Sequence, residues 1–587
     1  MSKRFRPLLT LAATLALSLP ALAQQADVRL PSLGSSADAV MSPQEAQAYG
    51  AEFMRELRAA HLVMDDPQVD QYLRTLGYRL ASASSDPAQQ YTFTALNVPE
   101  INAFATFGGY VFIFSGMFTL TQNQDQLAAV MAHELAHVSQ RHLQRAIEDQ
   151  KKTAPLYVLG AFAAALAASQ VDSTDRRVQT QPYGYGYGNA PYSQGMDPSV
   201  GAFYSVLAMM QQHQIDFTRK DEAEADHVGI DTLAKAGFDP IGMATVFAHM
   251  QSVLRPGGDG GMAAGNIPDF LQNHPVSSVR IADARARARV LEATLKSQPS
   301  GTANASLPGL LPLPFVKGGA LLDHSARGPS EMQYELMRER VRVLSSNDPR
   351  SVLDYYTRNM ASSAKFAEAP ANRYGYALAL LQLNQASKAV PIMAKLSKEQ
   401  PDNLSLALGL ADAERHAGQR SDALQRYASL NAMWPNDPAI VLDYSRTLLD
   451  DGSKPSARTA QSLLKPLLND DSEPSLYSAY GHACHVAGDD VHAGIAYADA
   501  TFLSGHAADA LDQLHRLLKR TDLDYYSRAQ IDARIAQVTP IVLEIRRRHL
   551  DQDQDGNDNS SLQNEASPNR PTGFRFGACA GAACTQP

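Results

Sequence analysis

The 587-residue chain is poor in cysteine and tryptophan, with three of the first and one of the second, and aromatic residues make up only 7% of it. So few thiols exclude a disulfide-built scaffold and leave apolar burial to hold the fold together. Cys484 falls inside a helical pattern and reads as a small buried apolar residue. Cys579 and Cys584 lie in a Gly/Ala-rich tail, where an oxidising compartment permits a disulfide, and with no histidine nearby they do not suggest a metal site. Positive charge is also in deficit: the formal net charge is -9 without a basic patch, which argues against nucleic acid as a partner. After residue 23 no apolar run reaches the about 20 residues that a membrane span needs. That excludes a membrane-embedded protein, while peripheral membrane association stays compatible with the sequence.

What is present divides into segments. Lys3, Arg4 and Arg6 precede an apolar run from Leu8 to Leu19, and "ALA" at 21–23 is followed by Gln24. This order predicts a secretory signal peptide over 1–23, cut after Ala23, and hence a periplasmic protein. With 44% hydrophobic and 19% charged residues the remainder has a globular composition, and its length calls for at least two cores. The first domain is expected over 42–295, a Pro/Gly/Ser-rich linker over 296–328, an all-helical domain over 329–545 and a polar disordered tail over 546–587. Within the first domain, 154–169 reads as a buried helix or a flap over a cleft, and the Tyr/Gly-rich stretch 171–198 as a mobile loop. "DQDQDG" at 551–556 begins like a calcium loop, but the twelfth position is Leu562, where a bidentate glutamate is required.

The second domain is periodic. Asn384, Gly418, Gly452 and Gly488 stand 34, 34 and 36 residues apart, each where a helix should end, and Pro401 and Pro435 repeat the 34-residue step. That period with paired helices predicts tetratricopeptide repeats, stacked into a solenoid whose concave side takes protein partners.

Chemistry concentrates in "AAVMAHELAHVSQRH", 128–142. His133, Glu134 and His137 form H-E-x-x-H; on a helix started by Asn123 and Asp125, the four-residue step puts both imidazoles on one face, where they can share a zinc ion. Glu134, rotated by roughly 100°, sits beside that ion and can accept a proton from the water it activates. A zinc hydrolase needs a third ligand, and "RKDEAEADHVG" offers Glu222 and Asp226 at i,i+4 on a second helix. One of them can bind the metal and the other orient a ligand histidine. Upstream, 102–120 reads as a hairpin or edge strand able to hold an extended peptide by its backbone, with Asn102, Ala103, Phe104 and Ala105 as the substrate-binding residues.

Taken in order, "NAFATFGGYVFIFSG", "AAVMAHELAHVSQRH", "DEAEAD" and "HPVSSVRIADAR" resemble the zinc metallopeptidases of the HtpX/CAAX prenyl endopeptidase-like family, over about 42–290. With a signal peptide before and repeats after, the architecture resembles the family's BepA/YfgC-type periplasmic subgroup. The resemblance implies an α+β zincin-like metallopeptidase domain followed by an all-α tetratricopeptide-repeat solenoid, binding one Zn2+ per chain. His133, His137 and Glu222 would be the zinc ligands, Glu134 the general base and Asp226 the partner of a ligand histidine. His274 would be a displaceable fourth ligand that keeps the enzyme quiescent, and Arg280 would help bind a substrate carbonyl. The implied substrates are misassembled outer-membrane proteins, with the repeats docking on the outer-membrane assembly machinery. The competing expectation is a chaperone or adaptor for outer-membrane protein assembly in which cleavage is rare or absent.

Overall fold

Ser42 opens the first helix, α1 (Pro43–Ala59), as a reciprocal cap: its hydroxyl accepts the Glu45 N–H at 3.2 Å and its own N–H donates to the Glu45 carboxylate at 2.8 Å. Asp66 caps α2 (Pro67–Ala83), with a proline at the first helical position. The computed structural model describes residues 41–149, 219–253, 274, 276–297, 330–469 and 473–565. The expected signal peptide, the segment 154–169, the stretch 171–198, most of the linker and Cys579 and Cys584 lie outside the described residues.

A three-stranded sheet follows, in the order β1-β3-β2. The central strand β3 (Tyr110–Phe114) runs parallel to β1 (Thr92–Leu96) and antiparallel to β2 (Ala103–Thr106), so β2 is an edge strand, as 102–120 predicted. The β2–β3 connection is a 3-10 turn, Phe107–Gly109, whose glycines take φ values of 74° and 82°. A Cβ at Gly109 would come within 2.0 Å of the Gln90 carbonyl oxygen, so the turn has room for glycine alone. Side chains alternate across the sheet: Val111 and Ile113 join α2 and the buried helix behind it, whereas Phe112 and Phe114 pack with Phe53 and Leu57 of α1.

After the short α3 (Ser115–Leu120), Asn123 caps α4 (Gln124–Ser139) by accepting the Gln126 N–H at 3.0 Å, at the position the sequence indicated. Residues 124–137 of α4 are all buried, so it is a central helix enclosed on every side and not the amphipathic helix its apolar stripe suggested. Enclosing it are α2, the sheet, α6 (Arg219–Lys235) and α7 (Ile241–Val253), with α5 (His142–Asp149) leaving its C-terminal end and α8 (Ser278–Ser297) packed outside α6 and α7.

The rest is helical: α9 (Glu331–Leu344), α10 (Pro349–Ser362), α11 (Ala364–Glu368), α12 (Pro370–Gln382), α13 (Ala386–Glu399), α14 (Leu404–His416), α15 (Arg420–Met433), α16 (Pro438–Leu449), α17 (Lys454–Leu464), α18 (Pro474–Ala487), α19 (Asp490–Leu503), α20 (Ala507–Leu518) and α21 (Tyr525–Glu565). Asn384, Gly418, Gly452 and Gly488, the periodic turn residues, lie between α12 and α13, α14 and α15, α16 and α17, and α18 and α19. All four are left-handed, with φ of 56°, 78°, 63° and 90°. One boundary needs correction: α21 continues past 545 into the segment expected as a disordered tail, because a helix already packed through Val538 and Val542 extends at little cost per residue.

The array is joined to the first unit through one apolar cluster running from Met64 to Ala413. Polar contacts reinforce it. The Tyr334 hydroxyl donates to the Thr121 carbonyl at 2.5 Å, the Gln124 N–H donates to Glu331 at 3.0 Å, and Gln71 donates to Asp437 at 2.9 Å. Arg340 grips both Asp66 oxygens, at 2.8 and 2.6 Å, while Asp66 also caps α2. Arg340→Ala leaves a largely buried carboxylate unpaired and is expected to destabilise the chain by about 3 kcal/mol. Urea unfolding checks this, and Asp66→Asn combined with Arg340→Ala should cost less than the sum of the two single changes.

Candidate metal centre

Three elements bring the chemistry together. The last turns of α4 carry His133, Glu134 and His137, which are 1%, 1% and 3% exposed. Against them lies α6, with Glu222 in its first turn and Asp226 one turn on. The close approach depends on Gly229, where a Cβ would stand 3.2 Å from the Ala132 carbonyl oxygen, on the residue before His133. His274 and Arg280 arrive from the segment that enters α8.

Four ligand-type atoms converge. His133 Nε2 is 3.1 Å from His137 Nε2 and 3.4 Å from His274 Nδ1. Glu222 Oε1 lies 2.7 Å from His274 Nδ1 and 3.5 Å from His137 Nε2, and its Oε2 lies 3.6 Å from His133 Nε2. Donors about 2.0–2.1 Å from a tetrahedral zinc stand roughly 3.3–3.4 Å apart, and these separations scatter around that value. Imidazole nitrogens at 3.1 Å need a cation between them, since two lone pairs there repel. Burial opposes charge on His133, but Asp226 and Glu222 outweigh it and raise its pKa to about 10. Burial, His133 and His274 together hold His137 well below the ordinary histidine range. The Glu222 carboxyl resists its own burial and is held far below the usual range by His274 and His133. Three imidazoles and a carboxylate, mutually stabilised only by positive charge, fit a zinc ion.

The two nitrogens facing away from the cluster are both occupied. Asp226 Oδ1 is 3.0 Å from His133 Nδ1, and His142 Nδ1 is 2.9 Å from His137 Nδ1. Asp226 has the role of orienting partner that its spacing suggested. Arg280 does not sit where a substrate carbonyl would meet it. Its Nε and a terminal nitrogen each lie 2.7 Å from an Asp226 oxygen, its Nη1 lies 2.8 Å from Glu222 Oε2, and its guanidinium covers the Phe247 ring at 4.8 Å. Two buried carboxylates at that range outcompete a neutral carbonyl for a guanidinium. His142 was given no role by the sequence reading; its place five residues after His137 was the available signal.

Glu134 stands apart from the four converging donors, with Oε1 3.9 Å from His274 Nε2 and no hydrogen-bond partner for that oxygen among the described residues. Burial raises its pKa, against the lowering effect of His274, His133 and the Ala105 N–H. That amide belongs to the edge of β2. With the Asn102 carbonyl bonded to the Phe114 N–H, antiparallel alternation turns the peptide groups of Ala103 and Ala105 away from β3. Among the four residues expected to bind substrate, these two present an edge. The Asn102 side chain accepts the Ala103 N–H at 2.9 Å, and the Phe104 ring packs on the far face against Phe53 and Phe112. A cleft lined by Gln89, Ala105, Thr106, His137, Val138 and Arg141 opens beside this edge.

Asp226→Asn removes the carboxylate that holds both His133 and Arg280. Zinc affinity, measured by competition with a chromophoric chelator, should fall about 10–100-fold, with the helical content unchanged by circular dichroism.

Comparison with known proteins agrees with this geometry. Residues 67–288 match Peptidase family M48. The chain is similar to a putative beta-barrel assembly-enhancing protease of Vibrio cholerae, 34% identical over 386 residues that make up 66% of each chain. It is also similar to the beta-barrel assembly-enhancing protease of Escherichia coli, 28% identical over 538 residues, 92% of this chain and 96% of that one. A shorter match, 26% identical over 210 residues, covers 36% of this chain and 50% of the mitochondrial metalloendopeptidase OMA1 of Schizosaccharomyces pombe.

Proposed function

This chain belongs to peptidase family M48 and is a zinc-dependent metallopeptidase, and from that premise we propose that it works in the periplasm as an endopeptidase on misassembled outer-membrane proteins and aids their assembly through its helical array. The observation that carries the peptidase reading is the meeting of His133, His137, Glu222 and His274, whose ligand atoms all lie within 4.8 Å of one another beside the partnerless Glu134 oxygen. The substrate and compartment rest on the names of the relatives and on the signal-like order of 1–23. The four left-handed turn residues support tetratricopeptide-like stacking of the array, with its concave side as the docking face for the assembly machinery.

Each residue then has a task. His133, His137 and Glu222 hold the zinc, and Asp226 and Arg280 keep His133 and Glu222 in place. When bound, the zinc supplies Lewis-acid chemistry, polarising a carbonyl and making water acidic enough to lose a proton near neutral pH. An extended peptide pairs with the outward peptide groups of Ala103 and Ala105, which sets its backbone across the site. Glu134 takes the proton of the attacking water into its buried carboxylate and passes it to the leaving amine. His274 fills the fourth donor position, so the site is latched until that side chain moves away.

The test is metal content by elemental analysis with casein cleavage on the same samples. About one zinc per chain is expected in the wild type, weakened binding in Glu222→Ala, and retained zinc with cleavage reduced at least about 100-fold in Glu134→Gln. His274→Ala should raise basal cleavage while zinc is retained. A protein free of zinc in every sample would favour the chaperone reading, as would unimpaired support of outer-membrane assembly by Glu134→Gln.

A further inference from the structure

His142 is 1% exposed, takes no part in the proposed reaction and touches the metal cluster from outside. Its Nδ1 meets His137 Nδ1, the nitrogen turned away from the other donors, at 2.9 Å. Its Nε2 faces Glu224 Oε2 at 3.4 Å and Asp221 Oδ1 at 3.9 Å. A second metal has no place at this cluster, because Arg145 already holds the same two oxygens at 2.9 and 3.1 Å.

The proton positions follow from what each group is able to do. An ionised carboxylate only accepts, so the Nε2 of a neutral His142 carries the hydrogen and its Nδ1 presents a lone pair. His137 must then donate from Nδ1, which leaves its Nε2 bare and directed at His133 and Glu222. We infer that His142 is a positioning residue which, backed by Glu224, fixes the tautomer and ring plane of His137 so that Nε2 is available to the metal.

Two features of the fold support this chain of contacts. Asp221 and Glu224 flank Glu222 on α6, so one helix supplies a ligand, props His133 directly through Asp226 and props His137 indirectly through His142. The backbone also reaches His142 through Arg141 at φ 56°, a left-handed conformation adopted without glycine, which folds the start of α5 back beneath the last turn of α4. Such conformations persist where the surroundings require them.

The inference rests on the zinc-site reading and is tested on the full chain by chelator competition with His142→Phe, His142→Gln and His142→Asn. Asparagine places a side-chain oxygen where the Nδ1 of histidine stands, whereas the polar atoms of glutamine lie one bond further out. The Phe and Gln variants should bind zinc about 10–100-fold more weakly, and the Asn variant should stay near wild type. Long-range 1H–15N spectra of histidine-labelled, metal-free wild type should show His137 protonated at Nδ1, shifting toward the Nε2–H form in His142→Phe. Equal losses in the Phe and Asn variants, an undiminished affinity in His142→Phe, or an Nε2-protonated His137 in the wild type would overturn the inference. The wild-type spectrum decides alone if the Phe variant does not fold. A wild type that binds no zinc would instead remove the reading beneath it.

Discussion

The organising constraint in this molecule is the contact between α4 and α6, two buried helices that bring like and unlike charges together where no water can separate them. Burying three imidazoles, three carboxylates and a guanidinium is costly unless every one finds a partner. The partners exist because Gly229 allows the helices to approach until one backbone nearly touches the next, which puts Glu222 across from the His133–His137 pair and Asp226 behind it. A helix buried all round is an expensive place for polar residues, so their presence on α4 already points to chemistry rather than packing.

The sheet and the outer helices serve that contact. The β2 edge passes beside Glu134 because β3 is anchored on both faces, by Val111 and Ile113 on one side and Phe112 and Phe114 on the other. Edges invite pairing with any extended chain. Here Asn102 satisfies the first outward amide and Glu134 engages the second, so the edge meets an incoming peptide with its polar groups already partly occupied.

Much of this was readable from the linear chain, and what was not has a common cause. The Asn123 cap, the four left-handed turns and the four donors are encoded by local signals: side-chain chemistry at a helix start, residues that tolerate positive φ, and a fixed helical step. Arg280, Phe104 and His142 were misjudged or passed over because their roles depend on which face of a neighbouring element they meet. Arg280 belongs to Asp226 and Glu222 because α8 lies over α6, and no spacing within "HPVSSVR" encodes that. The buried setting of α4 escaped for the same reason, since an apolar stripe shows only the first face to be covered.

The apolar cluster that passes without a break from Met64 into the array has a bearing on what counts as a domain here. Composition draws a sharp border at the Pro/Gly-rich stretch near 300, yet Tyr334 is fully buried and bonded to Thr121, and Glu331 receives the first free N–H of the catalytic helix. Cutting the chain there would strip the array's first helix from the roof of the peptidase unit and expose a hydrophobic wound on both halves. The border is therefore one of sequence style and not of mechanical autonomy: the two parts are halves of a single cooperative body, and a load borne by one is felt at the first turn of α4.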